Sequence, residues 1–484
     1  MKKNKGITLI ALIITIIVML ILVAVSVNVL IKSNLIGTAE KAVAKYKTAS
    51  EEEAKREVIE INGKQYNSID EYLYGNRITI SAKTGEYVNY KVDYDNIIYY
   101  KSIQDDIKNN WNIKNNWNDV NTTVKDEFKN LGVIESEKNL DGIGIQYESE
   151  VIYHNMLKEL EEKQVIFTSI DDAIKKYPDL VKKYFGKLVS NSDNKFAALN
   201  SCVFSGGSFI YVPDNTSLDR PLQSYFRINS RQMGQFERTL IIVGDNSNLH
   251  YIEGCTAPTY SDSSLHAAVV EIYVGKNSKC RYSTIQNWAT NVNNLVTKRA
   301  LVEENGMMEW IDGNIGSLNT MKYPACILKG DMASGTCITI SVASKGQFQD
   351  TGSRMIHLGK NTKSKIISKS IAMNGGNATY RGKIEIKKNA TNSEASLKCD
   401  TLILDSLSKS DTYPVNINNN NSSSLNHEAT VSKISEENLC YLMSRGISRE
   451  KAMELIILGF IDEFKKELPV EYAVELNQLI KRNL

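Results

Sequence analysis

Thr239-Leu-Ile-Ile-Val243-Gly-Asp-Asn246-Ser247 decides the fold, because the pattern of its ending returns along the chain. Val274-Gly-Lys-Asn277-Ser, Val302-Glu-Glu-Asn305-Gly, Leu358-Gly-Lys-Asn361-Thr and Ile386-Lys-Lys-Asn389-Ala are its later copies. The asparagines stand 31, 28, 56 and 28 residues apart, and 56 is twice 28. The skipped copy falls near Ala333, where Gly330-Asp331-Met-Ala-Ser-Gly335 carries turn chemistry of its own. Each copy follows a short alternating or β-branched run, such as Val269-Val-Glu-Ile-Tyr-Val274 or Ile384-Glu-Ile386, which reads as a strand. Strand, Asn/Gly turn and strand at a fixed period predict a solenoid. One rung cannot bury its own apolar face, so stacked rungs share a core and residues of equal phase lie side by side.

Phase is where chemistry enters. Cys255 lies nine residues after its turn Asn, Gln286 nine after its own, and Cys399 ten after Asn389. His427 lies 38 after Asn389, one period plus ten. This count predicts that a thiol, an amide, a second thiol and an imidazole line one face across several rungs. Thiolate sulfur suits iron and sulfide, and Glu428 beside His427 offers a base or an oxygen ligand. The same thiols equally suit packing inside the solenoid.

Composition narrows the classes. The chain has 484 residues, with 58 Lys and Arg against 56 Asp and Glu, a net charge of +2 and no long charged tail. A nucleic-acid footprint is not expected. The seven cysteines are an odd number, widely spaced and without a C-x-x-C pair, which points to a reducing compartment and excludes a zinc ribbon or thioredoxin motif.

The amino terminus has another character. Ile7 to Ile31 carries no charge and exceeds the ~20 residues that cross a bilayer, so a transmembrane helix is expected there. Lys5-Gly6-Ile7-Thr8-Leu9-Ile10-Ala11 resembles the processing segment of type IV prepilins, with Ala11 where that family usually places Glu. Residues 39 to about 61 are rich in helix formers and alternating charge, which suits a solvated stalk helix. A tandem hexapeptide, Ile107-Lys-Asn-Asn-Trp-Asn112 and Ile113-Lys-Asn-Asn-Trp-Asn118, reads as a surface insertion.

Other motifs are weaker. Asp141-Gly142-Ile143-Gly144 lacks the third glycine of a dinucleotide fingerprint, and Gly376 to Lys383 lacks the Ser or Thr of a phosphate loop, so this chain alone is not expected to hydrolyse ATP. His154 falls in a run, Ser149 to Lys163, that reads as helical. At the carboxyl end Ser435 and Ser448 cap two helices, Gly446 ends the first, and Pro469 starts a third. Met453, Ile456, Ile457, Phe460, Ile461 and Phe464 form a wide apolar stripe that packs on its own domain or in part on a partner.

With these residues in view the chain resembles the SufB family, scaffold subunits of the Suf iron–sulfur cluster assembly machinery. The resemblance rests on IQYESEVIYHNM (145–156), DNKFAALNS (193–201), YFRIN (225–229), GQFERTLIIV (234–243), YIEGCTAP (251–258), IQNW (285–288), NLVTKR (294–299), MIHLGKNTKS (355–364), KCD (398–400), SDTYP (410–414) and HEATVSKISE (427–436). It implies a mainly β protein: a right-handed parallel β-helix core with flanking helical regions. The division it suggests is 1–97 as prepilin-like helix and spacer, 98–195 as an N-terminal helical region, 196–430 as the β-helix and 431–484 as a C-terminal helical region.

The resemblance also implies a scaffold rather than an enzyme, receiving sulfur and iron and building a nascent iron–sulfur cluster. A SufC-like ATPase would bind the C-terminal helices, a SufD-like paralogue would pair through the β-helix, and a cysteine desulfurase with a sulfur-transfer protein would supply sulfur. Carried over by motif, Cys399 is the cluster or persulfide thiol with His427 and Glu428 as neighbours and metal ligands. Cys255 is the sulfur entry point, and Arg227, Asn229, Gln286, Trp288 and Lys298 line the route. Reduced flavin is associated with complexes of that family, although no motif here tests it. The chemistry needs the cytosol, so the large domain is expected on the cytoplasmic side of any membrane anchor. The competing reading is a membrane-anchored, pilin-like surface protein displaying an inert solenoid.

Overall fold

A computed structural model of the chain describes residues 140–147, 150–227, 234–256 and 264–468, together with 114, 116–120, 125 and four short strands between 59 and 88. The expected transmembrane helix and prepilin-like segment lie outside the described residues, as do Asn229 and the helix expected from Pro469. No helix among the described residues is long and apolar enough to cross a membrane.

Contacts divide the chain into two compact units. In the first, Ile59–Ile61 pairs antiparallel with Lys64–Tyr66, and Thr79–Ile80 with Tyr87–Val88. The stalk helix expected to run to about residue 61 is therefore corrected at its end: the Ile-Glu-Ile alternation there forms a strand.

The second unit is the solenoid. In one sheet, here sheet A, Gly142–Tyr147, Leu222–Arg227, Asn248–Thr256, Lys279–Trp288, Met307–Gly316, Ser334–Ala343, Lys363–Ala372, Glu394–Ile403 and Ser424–Lys433 follow one another in parallel. In sheet B the sequence runs through Ser208–Val212, Arg238–Val243, Val269–Val274, Val292–Val302, Phe348–His357, Asn377–Ile386 and Lys409–Asn418. Between Val292–Val302 and Phe348–His357 the rung is split into Asn319–Lys322 and Ala325–Leu328. Side chains alternate across each strand. Val243, Val274, Val302, Leu328 and Ile386 of sheet B meet Tyr251, Tyr282, Trp310 and Leu397 of sheet A in the interior.

The period has a physical cause at the turns. Asn215, Asn246, Asn277, Asn305, Asn361 and Asn392 all hold positive φ between 52° and 57°, the region Asn tolerates better than most side chains. Their amides form a ladder: Asn246 donates to Asn215 at 3.1 Å, Asn277 to Asn246 at 3.0 Å and Asn305 to Asn277 at 2.9 Å. Met332, φ 59°, fills the skipped copy next to Ala333. The last copy is corrected by three residues, because the left-handed residue is Asn392 and not Asn389. The rung from Thr362 to Ser393, which share a 2.7 Å hydroxyl contact, is 31 residues long. Two asparagines in one turn segment made the sequence count ambiguous, and only the backbone conformation separates them.

The C-terminal helices form as their caps direct. Ser435 accepts from the Asn438 N–H ahead of Glu436–Ser444, Gly446 takes φ 83°, and Ser448 accepts from Lys451 N–H ahead of Arg449–Phe460. Ile457, Ile461, Phe464 and Leu468 pack on the outer face of sheet A against Ile285, Ile311, Ile338 and Ile367.

The segment before the solenoid is mixed where it is described, with helices Lys158–Glu162, Ile170–Lys176 and Pro178–Tyr184 beside strands. Glu150–Met156 pairs antiparallel with Gly142–Tyr147, so His154 stands on a strand and the helix expected over Ser149 to Lys163 shrinks to Lys158–Glu162. The Val-Ile-Tyr run has the side chains that a pleated, half-buried surface favours. Glu271, paired with Arg238 at 2.9 Å with both side chains fully buried, accepts from the N–H groups of Gly186, Leu188 and Val189 and ties this segment to sheet B. Trp117 of the second hexapeptide packs edge-on against Tyr153, so that copy contributes to a core cluster rather than only to the surface.

Candidate functional site

Charged residues point into the solenoid where apolar ones would be expected. On sheet A the inward positions of Asn248–Thr256 are Leu249, Tyr251, Glu253 and Cys255; Gln286 is the register partner of Cys255, and Asn314 of Gln286. Opposite them stand Asn294 and Lys298 on Val292–Val302, Lys322 on Asn319–Lys322, His266 on the short strand Ser264–His266 and Glu237 just before Arg238–Val243, every one buried.

These groups form one network. Lys322 Nζ lies 2.9 Å from Asp312 Oδ1 and donates to Gln286 Oε1 at 3.0 Å. Asn294 Nδ2 donates to the same oxygen at 2.7 Å, so its own Oδ1 is left to accept from His266 Nδ1 at 2.8 Å. His266 Nε2 then faces Glu237 Oε2 at 3.5 Å. Lys298 Nζ lies 3.7 Å from Glu253 Oε1 and 3.8 Å from Asp312 Oδ1, above the Tyr282 ring at 4.4 Å. The Tyr282 hydroxyl donates to Glu253 Oε2, and Cys255 Sγ reaches Glu253 Oε1 at 3.8 Å.

Burial sets the protonation tendencies. It pushes the Cys255 thiol well above its ordinary range, with Glu253 and Glu237 adding to the effect and Lys298 and Lys322 opposing it. Burial lowers Lys322 to about 8 against the pull of Asp312. Glu237 is raised, again by burial first, with His266 opposing. Among the described residues Gln286 Nε2, Trp288 Nε1 and Lys298 Nζ are buried donors without a hydrogen-bond acceptor. They lie on the same rungs as Cys255 or the next, and such donors suit an anionic guest.

The candidates divide between two places. Cys255, Gln286, Trp288 and Lys298 belong to this interior network or its wall; Trp288 packs with Cys255 and Phe226 and lies 4.6 Å from the His266 ring. Arg227 is the register partner of Thr256 and stands on the other face of its strand from Phe226 and Cys255. Cys399 is further along the solenoid, two positions earlier in its rung than the phase count placed it. Its register column runs through Glu253, Thr284, Asp312, Thr339 and Ser368, whereas the column of Cys255 and Gln286 reaches Thr401.

Cys399 is buried, and burial followed by the charge of Asp400 pushes its thiol up to about 12. His427 pairs with Leu397 on the terminal strand, so it shares the inward face of Cys399 and is exposed because no rung covers it. Glu428 is on the opposite face, 3.7 Å from Lys398. Sequence adjacency to His427 therefore does not bring Glu428 to the thiol. Among the described residues, no group of three or more His, Cys, Asp or Glu is placed to hold a metal ion.

Sequence reasoning missed Glu237, Glu253, His266, Asn294, Asp312 and Lys322. The available signal was alternation: Tyr251-Ile-Glu253-Gly-Cys255 and Trp310-Ile-Asp312 put carboxylates at the phase of neighbouring aromatic core residues.

Comparison with known proteins decides the family. The profile described as "SUF system FeS cluster assembly, SufBD core domain" matches residues 226–460, and "SufBD protein N-terminal region" matches 98–224. Proteins named Iron-sulfur cluster assembly SufBD family protein, from Staphylococcus epidermidis (strain ATCC 12228 / FDA PCI 1200) and Staphylococcus aureus (strains MRSA252 and USA300), are each 57% identical over 392 residues. That span is 81% of this chain and 83% of each relative. The chain belongs to the SufBD family.

As a SufBD protein it is part of iron–sulfur cluster assembly, and the parallel solenoid expected from its period is the fold it has. Membership stands against an inert adhesive solenoid. The network at Cys255 and the thiol at Cys399 lie at different heights of the same SufBD interior.

Proposed function

We propose that this chain is the SufB-type member of its assembly system: a scaffold, not itself an enzyme, on which a nascent iron–sulfur cluster is built as cargo. The observation that carries this reading is the placement of Cys399 and His427 on one inward face of the last two rungs of sheet A. A soft thiol and an imidazole thus share the inward face at the end of sheet A, the donor types that iron favours.

Sulfur enters at Cys255. Lys298, Gln286 and Trp288 supply the unfilled N–H donors that favour an anionic sulfur species beside it; Arg227 joins the route from the outer side of its strand, and Asn229 is assigned to the same route. Sulfur arrives from a cysteine desulfurase, directly or through a sulfur-transfer protein. Cys399 receives it with iron, and His427, on the same inward face, assists there, whereas Glu428 on the outer face does not. A cluster needs more ligands than this one inward face offers, so a SufD-like paralogue seated on the open rung completes the set. Tyr441, Met443 and Leu455, exposed on the C-terminal helices, suit a SufC-like ATPase whose hydrolysis drives rearrangement of the complex. These thiols and an ATP-dependent partner belong on the cytoplasmic side, with residues 7–31 as a membrane anchor.

Anaerobic loading of the full chain with iron and sulfide, together with both partners, tests the scaffold role. Visible absorbance and iron counting should show a cluster in the parent and its loss or lability in Cys399→Ala. Equal loading in both would remove Cys399 from the ligand set, and no loading in either would overturn the scaffold reading.

A further inference from the structure

The network around Cys255 contains more acid–base chemistry than a passive conduit needs. We propose that Glu253 is the general base that takes the Cys255 thiol proton when that thiol accepts sulfur, with Lys298 and Tyr282 as the residues that position it. The inference rests on the reading of Cys255 as the sulfur entry point.

Geometry singles out Glu253 among the three interior carboxylates. Its Oε1 is the hydrogen-bond partner of Cys255 Sγ at 3.8 Å, on the same inward face of one strand. Asp312 is engaged by Lys322 at 2.9 Å, and Glu237 faces His266 at 3.5 Å. The other carboxylate oxygen of Glu253 accepts from Tyr282 OH, so that Oε2 is held by a hydrogen bond while Oε1, with the Lys298 ammonium 3.7 Å away, faces the thiol.

Charge gives the reason for the arrangement. The groups facing Glu253 are Tyr251 and Cys255 on its own strand, Tyr282 on the next, and Lys298, Lys322 and Glu237 from the opposite side of the interior. A thiolate formed by losing its proton to bulk water would add a negative charge to this buried cluster. Passing the proton to Glu253 leaves the cluster's net charge unchanged, removes the anion nearest the sulfur and leaves two ammonium groups nearby. In a low-dielectric interior that difference is large.

The step balances without an outside oxidant or reductant. The donor is a persulfide, R–S–S–H, carried on a protein or a small thiol. Glu253 takes the proton from Cys255, and the thiolate attacks the outer sulfur of the donor. A sulfur–sulfur bond forms at Cys255 while the donor's own breaks, its electron pair leaving with R–S⁻. Glu253 returns the proton to that leaving thiolate, so the products are Cys255–S–S–H and R–SH.

The test uses the full chain and cysteine persulfide as the donor. Persulfide on the Cys255 peptide is followed by alkylation and mass spectrometry, with Cys255→Ala fixing the background. The parent rate should depend less on pH between about pH 6 and 8 than that of the variant without the carboxylate, because the thiol proton passes to a positioned base rather than to hydroxide. Glu253→Gln should lower it by about 10²-fold near neutrality and make it climb with pH, and Glu253→Asp should recover part of the loss. A merely electrostatic role predicts the opposite sign, because removing the anion makes the thiolate easier to form. An equal or faster rate with an unchanged pH profile in Glu253→Gln would overturn the proposal. If that variant does not fold by circular dichroism, Tyr282→Phe decides: a fall of about tenfold with the steeper profile supports the base, and an unchanged profile sinks it. Absence of sulfur on Cys255 in the parent itself would overturn the entry-point reading and this inference with it, a failure visible before any variant is made.

Discussion

Lys322 Nζ and Asp312 Oδ1 stand 2.9 Å apart inside the solenoid, each side chain buried, one from each sheet. The pair joins the two walls of the interior at the rung beside Gln286, whose amide oxygen Lys322 also holds. Removing one partner leaves the other charge buried, with Lys298 at 3.8 Å as the nearest further cation to Asp312. Lys322→Met is expected to destabilise the chain by about 3–5 kcal/mol, and Asp312→Leu by a similar amount. The double variant should recover much of that loss. Urea unfolding of the four proteins measures the coupling, and additive losses would show that the two groups do not depend on each other.

Stability should be bounded on both sides of neutrality. Burial lowers His154, His250 and His357 to about 4 from 6.5, so the unfolded chain takes up protons first as pH falls. Their contribution is complete above 6.5 and is lost on the way down to about 4. On the other side burial raises Cys202, Cys337 and Cys399 to about 12 from 9.0, and Cys255, Cys280 and Cys326 are raised as well. The unfolded thiols ionise above 9.0 while the folded ones do not, so that contribution is present below 9.0 and is lost as pH climbs toward 12. Urea midpoints across pH should form a plateau between these limits. His357→Asn, which removes an imidazole held between Thr362 and Ser364 at 2.8 Å, should flatten the acid limb. An acid limb unchanged by that replacement would count against His357 as one of its sources.

The solenoid was legible because its period is written twice, in the β-branched strands and in the turn asparagines. Phase was less legible. Asn389 and Asn392 both fit the turn, and the choice moved Cys399 by one inward position along its strand, out of the column of Cys255. The network itself was nearly invisible, since Glu253, Asp312 and Lys322 read as ordinary surface charges until strand alternation and register turn them inward. Glu428 shows the reverse error. Neighbours in sequence lie on opposite faces of a strand, so a residue beside His427 is the one that cannot share its inward face.

Gly316 fixes the wall next to Trp288. Its φ is +85°, and a Cβ there would stand 1.9 Å from the Trp288 carbonyl oxygen. Both the left-handed backbone and the close approach require glycine. Gly316→Ala is expected to cost at least about 1–3 kcal/mol. It should also displace Trp288 from the Cys255 side of the interior, since the two strands pair through these residues. Near-UV circular dichroism and the melting temperature together check this, and a normal spectrum with a normal melting point would refute it.

The last rung of sheet A provides a separation between folding and assembly. Val431 extends the inward column of Gln286 and Thr401, yet it is 59% exposed because Ser424–Lys433 is the terminal strand of its sheet. An inward-facing apolar residue left uncovered contributes little to the chain by itself and much to whatever covers it. Val431→Asp should therefore change the stability of the isolated chain by no more than about 0.5 kcal/mol. In the proposed pairing with a SufD-like paralogue, the buried carboxylate would find no partner and complex formation should fall by tenfold or more, a loss of about 1.4 kcal/mol or greater. Co-purification of the tagged paralogue with parent and variant, alongside melting curves of each chain alone, distinguishes the two effects. A variant that pairs normally would place the paralogue elsewhere on the solenoid, and one that melts early would show that the terminal rung is part of the chain's own core.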